Sequence, residues 1–252
     1  MFELASGPRD LGEILIQGIQ LGRLAFRRLF MLTSVIAFLG VIPTFCLVWG
    51  AGNETIGYQQ ILDGLRGGYG LAGFVVALLG LPLRAILLNR IGAAAHGQAY
   101  GLNEELAKAL RLWPRLLIAG VIFILAVSLG FVLLVVPGLI LCISLMFEEF
   151  GVVLEGYGPV QALNASHNLV WGHWWRTLGM LLMMLLPLSV LLAIVSAMLG
   201  LDTGTMSDAG TTGRIVFEQT VLEMVFAALI GPFLYSILYV YYRDLKLRKQ
   251  PI

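Results

Sequence analysis

Long apolar runs alternate with short charged stretches along this chain. A spanning helix needs about 20 mainly apolar residues, and the gaps between charges mark where such helices fit. Leu29 to Asn53 lies uncharged between Arg28 and Glu54 and predicts a first span near 29–50. Gly67 to Leu83, between Arg66 and Arg84, predicts a second near 69–91. Leu116 to Phe147 is uncharged for 32 residues, too long for one upright helix. A break at Ser128-Leu129-Gly130 and the step Val136-Pro137-Gly138 split it into a tight hairpin of two spans, near 114–130 and 133–155. The second of these carries Glu148 and Glu149 close to its end. Thr177 to Leu201 predicts a fifth span near 176–200. Met224 to Tyr242 predicts a sixth, extended back to about Ile215 through Glu218 and Glu223.

Three further segments have helical period but a polar face. In the first, Leu11, Ile14, Leu15, Leu21 and Ala25 share a side opposite Glu13, Gln17, Gln20, Arg23 and Arg27, with Gly18 and Gly22 as thin places in the stripe. Asp10 followed by Glu13 reads as a helix start of capping-box type. In the second, Leu102, Leu106, Leu110 and Trp113 oppose Glu105, Lys108 and Arg111. In the third, Val160, Leu163, His167, Val170 and Trp174 follow the turn Gly156-Tyr157-Gly158-Pro159. Each reads as an interfacial collar ahead of a pair of spans. The second span of each pair carries proline near glycine, and Pro82, Pro137 and Pro232 are the expected kinks. The pattern predicts three units of collar, span and kinked span, at 8–98, 99–156 and 157–245. The fold class is all-α: a polytopic membrane protein of six transmembrane helices plus three amphipathic interfacial helices.

Composition supports this. Hydrophobic residues make up 59% of the 252 residues and charged residues 12%, about half the charge of a soluble domain. The net charge of +1 gives nucleic acid nothing to bind. The expected ends of spans hold Arg9, Arg23, Arg27 and Arg28, then Arg90, Lys108, Arg111 and Arg115, then Arg176, then Arg243, Lys246, Arg248 and Lys249. Those are 13 of the 16 basic residues, all on one side of a six-span layout. Only Arg66 and Arg214 fall opposite, and Arg84 lies inside helix two near its basic end. The bias places both termini in the cytoplasm. Trp113, Trp171, Trp174, Trp175, Tyr239, Tyr241 and Tyr242 crowd the same interface, while Trp49, Tyr58 and Tyr69 mark the other. The first 17 residues lack the basic and apolar regions of a cleavable signal, so the first spanning helix serves for targeting.

One stretch is familiar. Val135-Val136-Pro137-Gly138-Leu139-Ile140, then Phe150-Gly151-Val152-Val153-Leu154-Glu155-Gly156, then Ala162-Leu163-Asn164-Ala165-Ser166 and Leu169-Val170-Trp171-Gly172 resemble the YciC-like family of bacterial inner-membrane proteins. That pattern is related to the membrane domain of some glycerophosphodiester phosphodiesterases. The resemblance implies a six-span fold and a location in the bacterial inner membrane, and carries no enzymatic activity with it.

Charges inside a bilayer need an explanation, at about 2.5–3.5 kcal/mol each on insertion scales. Arg84, Glu148 and Glu149, with His167 in the third collar, form a candidate polar cavity open to the basic side. The bland alternative is an Arg84–Glu pair, or snorkelling. Glu218 and Glu223 read as solvated residues at a helix start. Cys46 and Cys142 read as small apolar side chains. No HExxH, CxxC, GxSxG or P-loop pattern occurs, so no metal, cofactor or enzymatic activity is expected. The expected partners are membrane lipids, and another membrane protein or a second copy of the chain. Two function classes lead: a small-molecule or lipid transporter or channel-like protein, and a non-catalytic partner that organises lipids or another membrane protein.

Overall fold

A computed structural model describes residues 7–51, 55–56, 68–97, 101–201 and 211–249. Of the sequence features above, Asn53, Glu54, Tyr58 and Arg66 lie outside the described residues, as do the side chains of Trp49, Tyr69 and Arg214. The described elements are helices α1 (Leu11–Ala51), α2 (Gly68–Ala95), α3 (Leu102–Leu133), α4 (Val135–Leu145), α5 (Glu148–Leu154), α6 (Pro159–Val170), α7 (Trp174–Met198) and α8 (Gly213–Lys249). Two short strands, β1 (Thr55–Ile56) and β2 (Thr211–Thr212), pair antiparallel. Six stretches are long and apolar enough to cross a membrane: Leu11–Cys46, Gly73–Ala95, Asn103–Leu133, Val135–Leu154, Trp174–Met198 and Phe217–Lys249. The chain is an all-α, multi-pass membrane protein.

The collars are helical, but two of them are not separate elements. The first is the N-terminal half of the 41-residue α1, and the second opens the 32-residue α3. At 1.5 Å per residue α1 is about 60 Å long, twice a hydrocarbon core. Only the third, α6, stands alone. Pro82 and Pro232 lie inside α2 and α8. Pro137 sits in the first turn of α4, beyond a complete break at Leu134, whose backbone is extended at φ −166° and ψ 155°. Pro137 therefore starts a helix where a kink was expected, because a first-turn proline gives up no helical hydrogen bond.

The chain divides into two compact units. Unit 1 comprises Met1–Leu29, Leu81–Met184 and Pro232–Ile252; unit 2 comprises Phe30–Gly80 and Leu185–Gly231. Of the 16 Lys and Arg residues, only Arg66 and Arg214 fall within the ranges of unit 2.

In unit 1, α1 packs on α8 through its glycines. A Cβ on Gly18 would lie 2.5 Å from the Ile237 backbone, and one on Gly22 would lie 2.8 Å from the Phe233 ring. Far from thinning the stripe, these glycines set the closest approach of the two helices. The α3–α4 hairpin turns equally tightly, with the Gly130 Cβ position 2.9 Å from the Gly138 backbone. Phe147, Phe150 and Tyr242 form an aromatic cluster with centroid separations of 5.3–5.7 Å. Asp244, only 4% exposed, gathers the Arg9 amide at 2.8 Å, the Arg248 guanidinium at 2.7 Å and that of Arg176 at 3.5 Å.

In unit 2, the Thr33 hydroxyl lies 3.0 Å from the Ala228 carbonyl oxygen, and its side chain fills the space over Gly231. Phe45 packs on Phe217 with ring centroids 6.0 Å apart.

Candidate functional site

The acidic residues of span four owe their position to a second helix break. The run from Val135 stops at Leu145, and the chain restarts at Glu148, so Glu148 and Glu149 occupy the first turn of α5, where a helix dipole favours carboxylates. The break leaves backbone groups to be satisfied. Ser166 on α6 does so: its hydroxyl donates to the Ser144 carbonyl at 2.8 Å and accepts from the Phe147 amide at 3.1 Å. All three residues sit in buried surroundings. Arg84 on α2 reaches Glu149 at 3.0 Å, while Glu148 beside it is 6% exposed. The expected set is therefore assembled in part. Arg84, Glu148 and Glu149 lie together. His167, on α6, sets its ring against that of Trp171, with centroids 5.0 Å apart.

The larger opening in unit 1 lies further along α2 and α8. It has a volume of about 460 Å³. Helix α2 lines it with Asn89 and Gly92, the turn after it with His96, α3 with Lys108, α5 with Leu154, the residue after α5 with the Glu155 side chain, and α8 with Tyr239, Tyr242, Arg243 and Lys246. Lys246 pairs with Glu155 at 2.6 Å, and the Tyr242 hydroxyl donates to the same carboxylate at 3.5 Å. Lys108 donates to Asn89 Oδ1 at 2.8 Å. Beside the cavity, Arg90 holds the 5%-exposed Glu105 at 2.8 Å and donates to the Arg28 carbonyl at 3.1 Å. A second cavity of about 280 Å³ lies by α6, between Ser166, Asn168, Tyr157 and Lys249.

Sequence reasoning did not single out Asn89, His96, Lys108, Tyr239, Arg243 and Lys246 as a site. The signal was present as two separate statistics, basic residues on one side and aromatic residues at the same depth. Neither says which of those side chains converge. The remaining candidates are accounted for locally. Glu223 accepts from Gln219 at 3.3 Å, and Cys46 and Cys142 are free and half-buried. Among the described residues, no three His, Cys, Asp or Glu come together as a metal cluster would require.

One group outside the spans has an altered acidity. His173, in the link between α6 and α7, is held below the usual histidine range, first by burial and then by the positive charges of Lys249, Arg248 and Arg176; Asp244 opposes them. Its Nδ1 is buried without a hydrogen-bond partner among the described residues.

No curated protein and no solved structure matches this chain. Residues 65–245 match the family described as a domain of unknown function, DUF7847. That stretch runs from the last residues before α2 into the basic end of α8, and takes in every lining residue of the larger cavity except Lys246 and Leu247. On that match the chain belongs to the DUF7847 family.

Proposed function

We propose that this protein is a transporter-like or channel-like component of a bacterial inner membrane, with both termini in the cytoplasm, handling a small molecule or a lipid. The observation that carries this reading is the charged group at the break in span four. Three ionisable side chains in spanning helices are costly in lipid, and here they converge on a place where a helix is interrupted. Interrupted spans beside charged side chains are how many secondary transporters build a site at membrane depth. The group also aligns with the basic cavity. Arg84 and Gly92 are eight residues, or about 12 Å, apart on α2, so a polar route from the basic end inward needs to bridge only two helical turns. The resemblance of the central stretch to YciC-like inner-membrane proteins supports the location, and the collection of basic residues in unit 1 supports the orientation.

The test is flux in proteoliposomes. Arg84→Ala and Glu149→Gln should each abolish it while the yield of folded protein stays unchanged. Loss of folded protein in both variants, with flux per folded molecule preserved, would make the pair a structural tie and reject the reading. The second reading, a non-catalytic lipid- or protein-organising role, draws on the completeness of the Arg84–Glu149 pair, which leaves each charge a partner. It expects crosslinking to recover one stoichiometric membrane protein.

A further inference from the structure

We infer that the cavity at the basic end of unit 1 is a binding site for a phosphate group, carried either by a phospholipid headgroup or by a soluble phosphate. The inference goes beyond transport, since binding here requires no flux.

Its first support is a surplus of donors. Asn89 is 6% exposed; its Oδ1 accepts from Lys108, but its Nδ2 is buried without an acceptor. Arg243 Nη1 is likewise buried without an acceptor. Buried donors that lack a partner are costly and rare in folded proteins, and the two residues that carry them, Asn89 and Arg243, both line this cavity, which suits a ligand rich in acceptor oxygens. Phosphate is such a ligand, and it accepts charge-assisted hydrogen bonds from arginine and lysine.

The second support is charge. Three cationic side chains line the cavity, Lys108, Arg243 and Lys246, against one carboxylate, Glu155. Lys246 and Glu155 pair with one another. Lys108 bonds to a neutral amide oxygen, and Arg243 stands beside the neutral Tyr239 hydroxyl. Two positive charges thus face the opening with neutral groups as their partners there, and an anion completes them.

The third support is place and size. The volume falls within the range of about 300–1,000 Å³ common for small-ligand sites. The site lies at the end of α8 that carries its basic residues, and basic recesses between helices at headgroup depth suit anionic headgroups. Gly92 keeps the wall open: a Cβ there would meet Leu154 at 3.4 Å and the Tyr239 ring at 3.9 Å, so a larger side chain fills the recess without changing any charge.

The experiment uses the full chain with two probes. One is radiolabelled inorganic phosphate, offered to detergent-solubilised protein in equilibrium dialysis. The other is phosphatidic acid in phosphatidylcholine nanodiscs, read as retained lipid by native mass spectrometry, with palmitate as an anionic lipid lacking phosphate. Saturable binding of either probe is expected, with palmitate not retained; phosphatidic acid alone identifies a headgroup site and inorganic phosphate alone a soluble ligand. Arg243→Gln and Lys108→Gln should each weaken binding about tenfold or more, the scale of losing a hydrogen bond to a charged group. Gly92→Leu should block it, and Arg243→Lys should retain part of it. Arg27→Gln, a basic residue outside the cavity, should leave it unchanged. Gly92→Leu also stands as the charge-neutral test should Arg243→Gln fail to fold. Absence of saturable binding, equal retention of palmitate, or an equal loss in Arg27→Gln would overturn the inference. Arg84→Ala separates it from the transport reading, because that variant should lose flux and keep phosphate binding.

Discussion

Ser166 shows how much one hydroxyl can hold. It bonds two backbone groups across the break between α4 and α5, and so fixes the turn from which Glu148 and Glu149 project. Ser166→Ala leaves a buried carbonyl and a buried amide without partners, at about 1–3 kcal/mol each. The expected result is a lower Tm in detergent by thermal-shift assay, with the largest gain in amide exchange at 144–149. Ser166→Thr should recover part of the loss. His173 carries a prediction of a different kind. Its acidity in the folded protein lies below that of the unfolded chain, where histidine titrates near about 6.5. As the pH falls, the unfolded chain takes up the proton first, so folding is disfavoured. The contribution is complete above about pH 6.5 and is lost as pH drops through the folded value. His173→Asn should flatten this part of the stability profile between pH 7 and pH 5, and an unchanged profile would exclude His173 as its source. At this scale the sequence was half readable. Ser166 stood in a stretch that carried a family resemblance, but nothing there gave it a role, and its partner, a break about twenty residues earlier, has no local signature.

Among the elements, the helix–helix contacts are set by glycine. Gly18 and Gly22 bring α1 against α8, and Gly130 and Gly138 let the α3–α4 hairpin close. Gly18→Val places carbon where the Ile237 backbone stands, so one helix must shift. Overpacking of this sort costs about 1–3 kcal/mol, and it should appear as a lower Tm and as weaker disulfide crosslinking between cysteines introduced on α1 and α8. Gly12→Val, at a position with open space around it, is the matched control. The spans themselves were legible, because charge is excluded from lipid and its gaps mark their limits. The polar contacts of the collars were not. In water an apolar stripe turns inward, but beside lipid it need not. At the start of α3, Glu105 is 5% exposed while Leu106 and Leu110 are about half exposed, at 49% and 50%. The expected stripe faces outward, and the polar side makes the ion pair with Arg90.

For the molecule as a whole, the distribution of charge argues for its orientation. All described basic ends lie in the ranges of unit 1, whereas unit 2 is almost free of them. Green fluorescent protein fused at either terminus should fluoresce, and alkaline phosphatase fused there should be inactive. Phosphatase activity from a fusion at either end would reverse the assignment. The order of the chain matters here too. The amide of Arg9 and the side chain of Arg248 both bond within reach of Asp244, and Arg248 donates to the Arg9 carbonyl at 2.7 Å. Helix α1, made before α8, is thus covered by it. Until α8 is made, Gly18 and Gly22 lack Ile237 and Phe233, and the amide of Arg9 lacks Asp244. The packing of unit 1 can be completed only once translation has passed Asp244, so a chain cut short of that residue should be more open to membrane proteases.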